Sequence, residues 1–450
     1  CGDLVRRLFE CSYEHQAAEV LGLNCNLNCS STLAPTPAPV AAPATPAPVA
    51  GAAPATPAPV AGPAPVNTPT PAPVAGAAPA TPAPVAAPAA GGADFPLALT
   101  VATSSTMMSG DADSVAMSSG LIVIGNSYYS NYRGLVSIYR ASDGVLLKQF
   151  SGSGSNDYLG YSVAIDGDTV VAGAWEWPNE GFAKVYRTPD GGDTWTTAAT
   201  LTASDGAKND YFGRSVAVAG DTIFVGAYGD DDDGTNSGSV YVFRTTDGGA
   251  TYDEVETLKA SSPKAGANFG NALAADGDTL VIGAYSDNSY KGAVYVFRKS
   301  GSTYAQVARL TGSGVAEDDE FGTSVGVSGD TIVVGTEYTD AAFVYRTSDG
   351  GATWAAVTTL EGSDDFGRSV AIDGDTIVIG ASGGDATYVY RTSDGGATYA
   401  EVAKLTAPES LSPENYGGWA YFGKAVAVSG GAVSVAAYGA TYVYGATERR

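Results

Sequence analysis

The chain has 450 residues, 58 of them Gly, and a formal charge of −25 from 23 Lys+Arg against 48 Asp+Glu. So acidic a protein lacks the basic footprint that phosphate binding needs and is repelled by an anionic bilayer, which argues against nucleic acid and membrane partners. A single His, His15, removes most Ser/His, Cys/His and His-metal chemistry, and no Pro-free apolar run reaches a membrane-spanning length. The composition predicts a protein that is not an enzyme.

Residues 1–33 hold all four cysteines, Cys1, Cys11, Cys25 and Cys29. An even count in a short segment predicts two disulfides of open connectivity, made in an oxidising compartment. A four-thiolate zinc site is the competing reading, and the lack of a CxxC spacing speaks against it. The start at Cys1, without Met or an apolar leader, predicts a mature secreted chain. Leu4, Val5, Leu8 and Phe9, then Ala17, Ala18, Val20 and Leu21, fall on single faces of two short helices, giving a stapled helical knob. Asn28 heads the only N-glycosylation sequon, although a disulfide at Cys29 would hinder its use.

Residues 34–93 hold 18 of the 24 prolines, and no charged residue lies between Glu19 and Asp94. Thr-Pro-Ala-Pro-Val-Ala recurs at Thr36, Thr45, Thr56, Thr70 and Thr81. Proline fixes φ and deletes the N–H, so neither helix nor sheet is expected, and a polyproline II shaft is. At about 3.1 Å per residue it would reach roughly 190 Å.

Residues 94–450 repeat a strand-rich unit. Gly160, Gly213, Gly270, Gly322, Gly367 and Gly423 open it at intervals of 45–57 residues, and Gly110 opens a decayed version. Repeats of this length that read as strands predict a seven-bladed β-propeller. In one copy Ser369–Ile372 is a strand, Asp373-Gly374-Asp375 a tight turn, and Thr376–Gly380 an apolar return buried on both faces. Thr387–Tyr390 and Val402–Leu405 complete that blade. The seventh copy lacks an outer strand of its own. Leu97-Ala98-Leu99-Thr100 resembles the outer strands of other copies, so residues 97–101 are expected to close the ring. The fold class is therefore all-β: a propeller over 94–450 closed by an N-terminal strand, after a polyproline II segment and a helical knob.

Phe212-Gly213, Phe269-Gly270, Phe321-Gly322, Phe366-Gly367 and Phe422-Gly423 match the FG of FG-GAP repeats. Gly173-Ala174-Trp175, Gly226-Ala227-Tyr228, Gly283-Ala284-Tyr285 and Gly380-Ala381-Ser382 match the GAP with Pro replaced. The region resembles the seven-bladed propeller of integrin α subunits, a resemblance that implies an extracellular adhesion or protein-binding role. The stretch 34–93 is similar to the glycomodules of hydroxyproline-rich wall glycoproteins, which implies O-glycans at Thr36, Thr45, Thr56, Thr70 and Thr81. Thr188–Trp195, Thr245–Tyr252, Thr347–Trp354 and Thr392–Tyr399 resemble the Asp-box of sialidase-like propellers. There Asp190, Asp247, Asp349 and Asp394 are expected to accept turn N–H groups while the aromatic packs beneath. Sialidase chemistry needs a convergent arginine cluster and a Tyr/Glu pair, whereas Arg187, Arg244, Arg298, Arg346 and Arg391 recur once per blade around the rim.

Integrin-type blades bind calcium in a longer acidic loop between the first two strands. The Asp166–Asp168, Asp276–Asp278 and Asp373–Asp375 turns are too short to wrap an ion needing 6–8 oxygens. Asp230-Asp231-Asp232-Asp233 with Asn236 is the best calcium candidate, through Asp230, Asp232 and Asn236, against the alternative of a solvated acidic loop. Asp318-Asp319-Glu320 and Asp364-Asp365 are weaker ones. Trp175 and Trp177 after a second strand mark either blade-to-blade packing or a capture face. The leading expectation is a non-enzymatic extracellular structural glycoprotein that self-assembles through residues 1–93 into a filament or wall layer. The alternative is a monomeric stalked adhesin that captures a protein or glycan.

Overall fold

The structure is a computed structural model that describes residues 95–102, 112–175, 179–408 and 420–445. The cysteine segment, Asn28, the Thr-Pro repeats, Gly110 and Trp177 lie outside the described residues. The described chain forms seven four-stranded antiparallel sheets. Blades I to VI occupy 114–151, 162–201, 215–258, 273–310, 325–361 and 366–406. Blade VII joins Val426–Ser429, Ala432–Ala437 and Ala440–Tyr444 to the strand Leu97–Ala102, which pairs antiparallel with Ala440–Tyr444. The seven first strands surround a cavity of about 560 Å³.

Each blade follows one physical scheme. Its second strand, such as Thr222–Ala227 (TIFVGA) or Thr376–Ala381 (TIVIGA), is buried along its whole length because neighbouring blades cover both faces. The fourth strand is the outer edge: exposed positions dominate in Leu146–Ser151, and in Asp253–Leu258 all but one position is exposed or half-buried. The strands of blade VI, Phe366–Asp373, Thr376–Ala381, Ala386–Arg391 and Ala400–Thr406, run one to three residues beyond the bounds read from sequence at most ends.

The FG and GAP residues make the blade-to-blade joint. Phe212, Phe269, Phe321, Phe366 and Phe422 are fully buried. Phe212 stands edge-on to Tyr241 and Phe243 of the third strand, at 5.4 and 6.0 Å, and Phe269 repeats this with Tyr295 and Phe297. Gly213 has φ +91°, a left-handed conformation that favours glycine, and its N–H donates to the Gly226 carbonyl of its own blade. Gly226 in turn lies against the next blade: a Cβ there would stand 2.1 Å from the Gly270 carbonyl oxygen. The Ser215 hydroxyl donates to that same carbonyl at 2.6 Å. Ser114, Ser162, Ser324 and Ser369 make the equivalent bond to Gly160, Gly213, Gly367 and Gly423, and Asn271 makes it to Gly322.

The antiparallel alternation places the two kinds of loop at opposite ends of the ring. The tight turns within strand pairs one–two and three–four share one end. The loops from second to third strand, and from one blade to the next, share the other.

Candidate functional site

At the turn end, charged side chains are built into the repeat. In blade II the Thr188 hydroxyl donates to Asp190 at 2.8 Å, and the Thr194 N–H and hydroxyl donate to the same carboxylate at 2.9 and 2.6 Å. Gly192 N–H donates to the Thr188 hydroxyl, and Trp195 Nε1 to the Gly192 carbonyl. The same threonine–aspartate bonds recur at Asp247, Asp349 and Asp394. The Thr194 and Thr188 bonds hold the Asp190 carboxyl down at about 2, and equivalent donors depress the other three.

The rim arginines reach toward the following blade. Arg187 bonds Thr169 of its own blade and Tyr252 of the next, at 3.0 and 3.4 Å. Its guanidinium occupies the space that a Cβ on Gly249 would need. Arg298 lies beneath Gly351 and Arg346 beneath Gly396 in the same way. Arg244 donates to the Ser302 carbonyl at 3.1 Å, and Arg391 stacks on Phe95 at 4.7 Å. Five arginines act as struts in five joints. They do not converge on one point.

The acidic loop 230–236 divides its side chains. Asp230 is buried, accepting the Tyr241 hydroxyl at 2.9 Å and the Asp232 N–H at 2.9 Å. Asp232 and Asp233 turn outward, each 3.1 Å from Lys259 Nζ. Asn236 gives its backbone N–H to Asp231. Asp230, Asp232 and Asn236 are therefore not brought together around an ion, because a lysine beyond the fourth strand and a buried tyrosine hydroxyl draw them apart. Among the described residues no group of three or more acidic, His or Cys side chains is arranged to hold a metal. The next blade has the same position, Asp287, fully buried and bonded by Lys264, Arg309 and the Tyr295 hydroxyl at 2.6, 2.7 and 2.8 Å. Burial alone would raise the Asp287 pKa, but those three donors outweigh it and hold it low. In blade III the cation at this loop, Lys259, sits on Asp232 and Asp233 instead. Burial, with Asp230, Asp231 and Asp205 nearby, pushes the Asp210 carboxyl up to about 6.

The loop end carries an aromatic arc. Tyr132 lies 5.3 Å from Tyr158, Tyr158 stacks on Trp175 at 4.5 Å, Trp175 meets Tyr211 at 5.6 Å, and Tyr211 stacks on Tyr228 at 5.1 Å. These five rings come from five successive loops of blades I to III. Arg214 lies over Tyr161 at 4.1 Å and closes on Tyr228 and Trp175 at 5.5 and 5.9 Å. Trp175 thus bridges the two alternatives raised for it: it packs within its blade and against the next, and it belongs to a partly exposed surface. Its Nε1 is buried and has no hydrogen-bond partner among the described residues. Sequence reasoning missed Tyr132, Tyr158, Tyr211 and Arg214. The signal lay in the aromatic residue before the FG dipeptide, as in Asp157-Tyr158-Leu159-Gly160 and Asp210-Tyr211-Phe212-Gly213.

Residues 151–185, 195–243, 252–297, 304–354 and 360–400 match the FG-GAP repeat family. No curated protein matches the chain. The chain carries FG-GAP repeats, and its described residues fold as a seven-bladed β-propeller.

Proposed function

We propose that this protein is a non-enzymatic extracellular structural glycoprotein, displayed as propellers on a surface filament or wall-type assembly and joined to its neighbours through residues 1–93. The observation that carries this reading is the use made of its charged side chains. Asp190, Asp247, Asp349 and Asp394 are consumed in turns, and Arg187, Arg244 and Arg391 in joints between blades. These are the residue types that glycan hydrolysis would have to gather into one pocket. Their dispersal into struts fits a part built for rigidity. The Cys segment would form two disulfides, and the Thr-Pro repeats a glycosylated polyproline II shaft. The strand Leu97–Ala102 would close the ring where the shaft enters it.

The aromatic arc favours a second reading, a stalked adhesin whose loop end captures a ligand. Electron microscopy of native material separates the two. Regular fibres studded with globules support the structural reading, and dispersed single propellers support the adhesin.

A further inference from the structure

Two features of the loop end meet in one place. The rings of Tyr132, Tyr158, Trp175, Tyr211 and Tyr228 follow one another at 4.5–5.6 Å. Tyr132 is 38% exposed, and the others are partly exposed. Such a surface suits an extended ligand with apolar bulk at regular intervals.

A polyproline II helix has that chemistry. It makes no internal hydrogen bonds, so its carbonyls are available, and its stiffness lowers the entropy lost on docking against aromatic rings. One turn advances about 9.3 Å. Two steps along the arc, Tyr158 to Trp175 at 4.5 Å and Trp175 to Tyr211 at 5.6 Å, span at most about 10 Å. With three residues per turn, Thr-Pro-Ala-Pro-Val-Ala places Pro and Val on one edge, Thr and Pro on the second and two Ala on the third. One edge therefore offers a pyrrolidine ring and, one turn on, a Val side chain, apolar groups at the spacing of alternate rings of the arc.

We infer that the aromatic arc of Tyr132, Tyr158, Trp175, Tyr211 and Tyr228 docks the Thr-Pro-Ala-Pro-Val-Ala segment of a second copy of this chain. The inference rests on the assembly reading above and names the joint that assembly would use. Charge supports the occupant: residues 34–93 have no charged group to desolvate, whereas residues 94–450 carry nearly all the acid and would repel a second propeller surface. Each chain has five copies of the motif against one such arc among the described residues, so one shaft has motifs to spare for neighbouring copies. Several motifs per shaft would also let weak single contacts add through effective concentration.

The test uses the full chain, with p-benzoylphenylalanine in place of Tyr132, mixed in isotopically light and heavy forms and irradiated. The expected result is light–heavy cross-links from position 132 to residues 34–93. They should fall at least roughly fivefold on adding a synthetic peptide of residues 34–61 in excess, and by a similar factor in Tyr211→Ala, the loss of one or two ring contacts. Tyr338→Ala, at an exposed loop-end tyrosine of blade V, should leave the yield unchanged. Circular dichroism of each variant confirms the fold, and Tyr228→Ala replaces Tyr211→Ala where that variant misfolds. Cross-links confined to one copy, to residues 94–450 or to carbohydrate overturn the inference, as does a yield indifferent to peptide and variants. Fibres that form without the cross-link would overturn this joint and leave the assembly reading standing.

Discussion

Lys424 Nζ of blade VII lies 2.9 Å from Asp113 Oδ1 of blade I, joining residues 311 positions apart across the seam where the ring returns on itself. The other Asp113 oxygen accepts the N–H and hydroxyl of Ser127 at 2.7 and 2.6 Å, so this buried carboxylate is fully engaged. The seam is chemically unlike the other joints. Ala436 stands where Gly226 and its equivalents stand, and Ala112 occupies the place of the FG glycine, two residues before the first strand. An ion pair replaces the close approach of two glycines.

Removing the lysine leaves Asp113 buried beside an absent cation. Lys424→Met should destabilise the protein by about 2 kcal/mol, less than the loss of a fully buried pair because the lysine is partly exposed and Ser127 still donates to Asp113. The double variant Lys424→Met/Asp113→Asn should recover at least half of that loss. Chemical denaturation of the four proteins in a double-mutant cycle measures it, and equal losses in single and double variants would contradict the coupling.

The glycine joint gives a sharper expectation. Gly226→Ala puts a methyl group 2.1 Å from the Gly270 carbonyl oxygen, and the backbone of two blades must move apart. A loss of about 3 kcal/mol or more is expected, at the upper end for overpacking. Ala436→Gly in blade VII should cost less than about 1 kcal/mol, the ordinary entropic penalty of glycine in a strand. Comparable effects at the two positions would show that the joint does not depend on the absence of a side chain.

The strand Leu97–Ala102 pairs with Ala440–Tyr444, and Phe95 beside it lies under Arg391. Deleting residues 94–102 would expose the edge of blade VII and remove the buried side chains of Phe95 and Val101. The melting temperature should fall by roughly 10 °C or more, equivalent to several kcal/mol for a domain of this size. An unchanged melting temperature would show that the ring closes without this strand.

Two acid responses of opposite sign are expected. Asp190, Asp247, Asp349 and Asp394 have pKa values lower in the fold than the unfolded value of about 3.9. Their contribution is complete above that value and is lost as pH falls through it toward about 2. Asp210 is the reverse case. Its folded pKa of about 6 exceeds the unfolded one, so its charged form opposes folding at neutral pH and the penalty disappears as pH falls from about 7 to about 4. Asp210→Asn should raise the melting temperature at about pH 8, and the gain should vanish near pH 4. A gain that persists at pH 4 would place its cause elsewhere.

Much of this architecture is legible in the residues. A run such as Thr222–Ala227, apolar with a closing glycine, is readable because burial on both faces leaves no room for alternation. The positions of Asp190 and Arg187 in the repeat are readable from spacing as well. Their partners differ in legibility. Asp190 bonds residues within four positions, so the turn explains itself locally. Arg187 bonds Tyr252, 65 positions away in the next blade, and no local pattern announces that contact. The loop at Asp230–Asp233 reads as one ion-facing cluster because its competitors, Tyr241 and Lys259, come from other strands. The arc is hidden for the same reason: Tyr158 and Tyr211 are about one repeat apart and meet only through Trp175, once the ring has brought successive loops together.

Electron microscopy of the protein isolated from its native source without denaturant tests the central claim most directly. The account predicts regular fibres carrying globular studs the size of single propellers. Dispersed single propellers under the same conditions would contradict it.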